Sequence, residues 1–366
     1  VEAHQRFSDL LEAAGDGADA RSLGDAHFFG SLCHRSPEQA RPGFEAARDA
    51  YAKAGHQPGL ANAQAMIAAW GFEMEETIAL LEEAAAASTA AGYEWGVALI
   101  RFLQAGVAAV GNDSASAIRL AEEATSRFAA LGDSWGQGYS LYSAGAALRA
   151  LGRYEEAEEA LRAALDHARP MRLRREMAPV MSELASIATM RGDYGAAEEW
   201  LVEAQRYADE VPFAGSEGMV RNARGQLARR RGDLDEALRL HREAIDLYQE
   251  GDAHGGLAYS HSCAGFTEEM RGDLDAARSH HVAALGHAQK TGDVFAIALT
   301  LEGMGATLIA AGDLAEGVTL VSAGLATRER AGAPLPSGER GDVDRVLEKA
   351  TEGLGSACTE AWEAGL

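Results

Sequence analysis

Five corner sequences recur along this chain at a spacing of 40 residues: Gly152-Arg153-Tyr154, Gly192-Asp193-Tyr194, Gly232-Asp233-Leu234, Gly272-Asp273-Leu274 and Gly312-Asp313-Leu314. Five residues beyond each of the first four glycines stands an alanine (Ala157, Ala197, Ala237, Ala277), and seven further on another (Ala164, Ala204, Ala244, Ala284). The fifth unit keeps the spacing with Gly317 and Gly324. A period of this length belongs to stacked supersecondary units, each unable to bury its apolar face without its neighbours. The chain is therefore expected to build a surface by stacking, and such surfaces bind things.

Each unit reads as two helices. Tyr139 to Leu151 carries Leu141, Ala144 and Leu148 at helical spacing. Gly152 then ends the helix, because glycine adopts the left-handed cap conformation without a Cβ penalty. The second helix opens at Tyr154-Glu155-Glu156, with acids where the helix dipole favours them, and runs through Leu161, Ala164 and Leu165. Where the corner reads Gly-Asp, the aspartate is placed to cap the second helix. Seven residues before each corner glycine the side chain is small: Gly145, Ala185, Gly225, Gly265 and Gly305. Glycine inside a helix costs about 0.5–1 kcal/mol relative to alanine. The recurrence predicts close approach of two helix backbones there, with the second-helix alanines facing it.

The phase extends backward through Asn112-Asp113, Ala117, Ala124 and Ala84, and Trp95 and Trp135 are also one period apart. Residues 2–14 read as a lone helix, and Gly15 to Pro37, with four glycines, as an irregular link. The expected array spans 1–330, with repeats at about 37–70, 71–109, 110–150, 151–190, 191–230, 231–270 and 271–310 and a final helix to 330. Residues 331–366 are expected to cap it.

The glycine corner, the small first-helix position and the paired alanines resemble the tetratricopeptide repeat (TPR). The family's aromatic positions are mostly replaced, here by Leu148, Leu161, Ala188, Leu201, Ala228, His241 and His281, and the unit is longer than the usual 34 residues. The resemblance implies an all-α fold, a right-handed superhelical α-solenoid with terminal capping helices and a groove lined by the first helices. Counting from each corner glycine nominates the groove side chains: Tyr139, Tyr142, Arg149, Ser182, Asn222, Gln226, Arg229, Tyr259, Ser262, Phe266 and Glu269. Aromatics, amides and arginines together are the mix a recognition surface uses.

The net charge of −23 argues against direct nucleic-acid binding, which needs a dense basic face. The charge is uneven. Between Arg169 and Arg242 lie 13 arginines, no lysines and 12 carboxylates, an arginine-rich band in an acidic chain. Such a band is either a set of solvated ion-paired helix faces or an electropositive sector for an acidic partner. Val1-Glu2-Ala3-His4 opens an amphipathic segment rather than a signal sequence. No run approaches 18 uninterrupted apolar residues, so no membrane span is expected. Three scattered cysteines (Cys33, Cys263, Cys358) fit a reducing cytoplasm.

No catalytic or metal-binding pattern stands out. Six of the eleven histidines fall between His241 and His287, without the three- or four-residue pairs a helical metal site uses. Ser260 and Ser262 flank His261 without a nucleophile-elbow pattern. No enzyme, cofactor or metal is expected.

The tail adds a second resemblance. Gly332 to Pro336, Glu339-Arg340, Leu354-Gly355 and Ala361-Trp362 are similar to the end of the helical sensor array in LuxR-type ATPase-coupled bacterial transcription regulators and their antibiotic-regulatory relatives. No Gly-x4-Gly-Lys-Ser/Thr loop and no basic helix-turn-helix accompany it. The resemblance implies a non-catalytic sensing array, part of a longer regulator whose ATPase and DNA-binding modules lie on the same polypeptide, taking a peptide, protein or small-molecule effector in its groove. A stand-alone scaffold for a protein or peptide is the alternative.

Overall fold

The computed structural model describes residues 19–32, 37–69, 74–111, 113–332 and 334–366. Among them are eighteen α-helices and no strand. The first nine are α1 (Ala20–Ser31), α2 (Pro37–Ala54), α3 (Gln57–Ala69), α4 (Met74–Ala90), α5 (Glu94–Val110), α6 (Ser114–Ala130), α7 (Ser134–Ala150), α8 (Tyr154–Met171) and α9 (Arg174–Met190). There follow α10 (Tyr194–Glu210), α11 (Ala214–Arg230), α12 (Leu234–Glu250), α13 (His254–Arg271), α14 (Leu274–Thr291), α15 (Val294–Ala311), α16 (Leu314–Arg330), α17 (Gly341–Leu354) and α18 (Ala357–Glu363). Two compact units form: Val1–Val107 with Arg119–Ser140, and Ala108–Ile118 with Leu141–Leu366. The helix predicted over 2–14, Cys33, Asn112 and Ala333 lie outside the described residues.

The first unit corrects one expectation. Gly15 to Pro37 is not an irregular link throughout, because α1 occupies Ala20–Ser31. Asp19 caps it, accepting from the Arg21 and Ser22 amides at 3.1 and 3.0 Å. Its glycine serves packing rather than chain reversal: a Cβ on Gly24 would lie 2.6 Å from the Tyr51 ring. The unit's core gathers Leu81, Ile100 and Phe128, with Trp95 stacked on Trp135 at 6.5 Å.

In the second unit the corners behave as their chemistry dictates. Gly152, Gly192, Gly232, Gly272 and Gly312 all have positive φ, between 72° and 103°. Asp193, Asp233 and Asp273 accept from the amides of Ala196, Glu236 and Ala276 at 3.0–3.2 Å, capping α10, α12 and α14. Asp313 makes no such bond. From α8 onward each helix packs on its sequence neighbours, and the first helices α9, α11, α13 and α15 also pack side by side.

The recurrent small residues have a more particular partner than the expected alanines. A Cβ on Gly145 would meet Leu161 at 2.6 Å, on Gly225 the His241 ring at 2.5 Å, and on Gly265 the His281 ring at 2.5 Å. Those residues share one register, nine past the corner glycine, and all are fully buried, as are Leu201 and Val321 at the same phase. One bulky second-helix side chain therefore drops into a notch left by the small first-helix residue. Backbones come closest at Gly305, where a Cβ would lie 2.6 Å from the Gly317 carbonyl oxygen.

After α16 the chain turns at Gly332, has extended backbone at Pro336 and makes one 3-10 turn over Ser337–Glu339. Helix α17 packs on α15 and α16, and α18 on α16. Val343, Val346, Ala350 and Ala361 seal that end of the core. By length and composition α15 is apolar enough to cross a membrane. Its position between α14 and α16, with Glu302 ion-paired inside the unit, accounts for that apolarity as core packing.

Candidate functional site

The first helices of the second unit enclose a cavity of about 250 Å³. Its wall repeats with the array. Arg149, Thr189 and Arg229 are successive equivalents, as are Ser186, Gln226 and Phe266, and Tyr259 and Leu299. Leu335, Glu339, Asp342 and Val343 of the C-terminal segment close the remaining side.

Charge inside the cavity is organised in pairs. Arg229, only 5 % exposed, donates to Asp342 at 2.8 Å and to Gln226 Oε1 at 3.1 Å. Burial alone would raise the Asp342 carboxyl, but Arg229 outweighs it and holds the group below the usual carboxylate range. Arg328 grips Glu302 through two bonds of 2.6 and 3.1 Å. Burial lifts the Glu302 carboxyl above its ordinary range against the lowering pull of Arg328. Arg149 is held by Glu183 of α9. Tyr259 lines the cavity and retains 40 % of its surface.

Of the eleven nominated residues, Arg149, Gln226, Arg229, Tyr259 and Phe266 line this cavity. Ser182, Asn222 and Ser262 do not; they share a helical phase that packs between helices. Ser182 donates to the Ala178 carbonyl at 2.8 Å, Asn222 Nδ2 to Ser260 Oγ at 2.8 Å, and Ser262 lies 3.3 Å from Thr300 Oγ1. Tyr142 packs against the core cluster around Leu161. Glu269 is buried and accepts from Arg345 of α17 at 3.2 Å. Tyr139 belongs to the first unit, with its ring 4.8 Å from that of Trp135. Counting residues supplies the phase of a helix but not which phase meets a neighbouring helix.

Several lining residues escaped the sequence reading. Glu302 had a usable signal, being the one charged residue in the apolar run Val294–Ala311. Glu339 entered only through the tail resemblance and Asp342 had no signal, since both lie outside the repeat.

The arrangement offers little for covalent chemistry. The buried Cys263 thiol is pushed up to about 11 by desolvation and accepts from Gln226 at 2.8 Å, so it stays protonated near neutrality. His241 and His281 are wedged between helices, and burial brings both down to about 3. On the α13–α14 surface His261 pairs with His280 (3.0 Å) and His254 with His287 (3.2 Å), through their Nδ1 atoms. Among the described residues no group of three or more His, Cys, Asp or Glu side chains is arranged to hold a metal ion.

Residues 176–250 match the family model of the tetratricopeptide repeat. No curated protein sequence matches the chain. A Rap protein complexed with Competence and Sporulation Factor superposes with a TM-score of 0.68 over 100 % of this chain and 95 % of its own, at 12 % identity. The Rap conjugation gene regulator of plasmid pLS20, in complex with the Phr* peptide, gives 0.55 over 89 % and 98 %, at 13 % identity. A signal-transduction ATPase with a tetratricopeptide repeat sensor from Pyrococcus horikoshii gives 0.56 at 11 % identity; 95 % of this chain covers 55 % of that longer one. These likenesses concern the fold: an all-α array of TPR-like helix pairs.

Proposed function

We propose that the second unit is a non-catalytic sensor that takes a peptide or small effector in the cavity between its first helices. The observation that carries this reading is Tyr259. A large aromatic with 40 % of its surface open inside a protein-lined space, next to guanidinium groups, is an unfilled contact. The paired charges and the protonated thiol suit recognition rather than turnover.

The wider setting is part of the same proposal: the sensing segment of a bacterial transcription regulator in the cytoplasm, with ATPase and DNA-binding modules on the same polypeptide. The tail sequence and the likeness to an ATPase with a repeat sensor support it. The alternative, a scaffold acting without attached modules, is favoured by the near full-length superposition on a Rap protein.

Thermal shift against peptide and metabolite libraries tests the reading. A ligand at one hundred times its Kd adds about 2.7 kcal/mol of stability, and Tyr259→Ala should abolish most of that gain. An effector that stabilises Tyr259→Ala as strongly as the parent places binding elsewhere and refutes the cavity.

A further inference from the structure

We infer that the strap over residues 334–342 is an intramolecular ligand, and that an acidic extended peptide displaces it from the groove. This rests on the sensing role proposed above and names the class of partner.

The strap crosses three corners of the array. Pro336 sits on the first, where a Cβ added to Gly152 would lie 2.8 Å away. Gly338 passes the end of α9, close to the Met190 carbonyl and the Tyr154 hydroxyl, and its own carbonyl accepts from Arg230 at 3.4 Å. Asp342 then pairs with Arg229, 113 residues earlier in the chain. Up to Arg340 the strap has no regular structure apart from one 3-10 turn, and its last two residues, Gly341 and Asp342, open the first turn of α17. The rest of α17 is anchored by the buried Val343, Val346 and Ala350.

Charge identifies the occupant. The cavity wall carries four arginines, Arg149, Arg229, Arg230 and Arg328, and four carboxylates, of which Glu339 and Asp342 belong to the strap. With the strap lifted, Arg149 keeps Glu183 and Arg328 keeps Glu302, while Arg229 and Arg230 lose the carboxylate they pair with, Asp342. A peptide with carboxylates spaced as in Glu339 and Asp342, preceded by an apolar residue in the Leu335 position, restores the balance. The strap is itself a peptide in this seat, which favours a peptide over other anions.

The strap also fits imperfectly, which is what makes displacement feasible. Glu339 stands close enough to influence Arg149, Arg328 and Tyr154 electrostatically, yet its carboxylate bonds none of them. Beneath it the buried Tyr154 hydroxyl and Arg230 Nε lack any acceptor. Buried donors without partners are costly, and a ligand carboxylate reaching them gains what the strap leaves unmade. Because the seat is filled most of the time, a ligand's apparent affinity falls by the fraction of molecules with the strap open.

The test uses the full chain and a fluorescent synthetic peptide of the strap sequence, residues 334–344, followed by anisotropy. The parent should bind it weakly. The double variant E339Q/D342N, whose own strap has lost both charges, should bind it at least tenfold more tightly, and adding R229M should remove that gain. A peptide with glutamine and asparagine in place of the two acids should not bind. Equal affinity for parent and double variant, or no binding to either, overturns the competition. An effector that depends on Tyr259 can still be found in that event, so the two readings fail separately. If the double variant does not fold, hydrogen exchange of residues 334–342 in the parent decides: faster exchange with excess peptide supports displacement, and unchanged exchange refutes it.

Discussion

Replacing His281 with leucine should make the protein less sensitive to acid by an amount the structure sets. His281 is fully buried between the notches at Gly265 and Gly303, and neither ring nitrogen has a hydrogen-bond partner. Desolvation brings it from 6.5 to about 3. The folded value lies below the unfolded one, so the unfolded chain binds more protons between those limits. Stability from this residue is then complete above pH 6.5 and is lost as pH falls toward 3. At pH 5 the unfolded imidazole gains about 2 kcal/mol by protonation that the folded ring does not. Leucine occupies the same register at Leu161 and Leu201, so His281→Leu is a substitution the array already accommodates. It forfeits an edge-on contact with Phe266 at 5.3 Å, about 0.5–1.5 kcal/mol, but removes two unpaired polar atoms. Parent and variant should therefore be similar at pH 7.5, and the variant should gain about 2 kcal/mol on the parent at pH 5. Urea unfolding followed by helical circular dichroism at both pH values measures the difference. If the gap between the two proteins is the same at pH 5 and pH 7.5, the ring is not held neutral by burial and the argument is wrong.

Two further substitutions probe the packing. Gly265→Leu fills the notch that receives His281, where even a Cβ would lie 2.5 Å from the ring, and should cost about 1–3 kcal/mol in urea unfolding; melting like the parent would mean the notch has no structural role. Arg328→Met leaves Glu302 buried without its partner and should cost about 3–5 kcal/mol, while the double change R328M/E302L should recover much of the loss, since an apolar pair replaces an ionic one. A double variant no more stable than Arg328→Met would show that the ion pair is not what holds those helices together.

The most legible parts of the sequence were those whose physics is local. A corner glycine is needed wherever the backbone adopts positive φ, and an aspartate after it bonds an amide three residues on, so helix ends could be placed from neighbouring residues alone. The period carried the stacking for the same reason. Gly24 misled because a glycine that makes room for Tyr51 looks, in one dimension, the same as one that breaks a helix. Asn222 and Ser262 were nominated for the groove because they are polar and in phase, whereas their actual partners, Ser260 and Thr300, lie on adjacent first helices.

What the chain determined by itself was therefore the repeat, the helix ends at the glycine corners and the arginine-rich band, all consequences of near-neighbour chemistry. Only the tertiary structure decided which helical phase opens onto the cavity and what closes it. The closure joins Arg229 to Asp342 across 113 residues, and no periodicity links a repeat to a segment outside it.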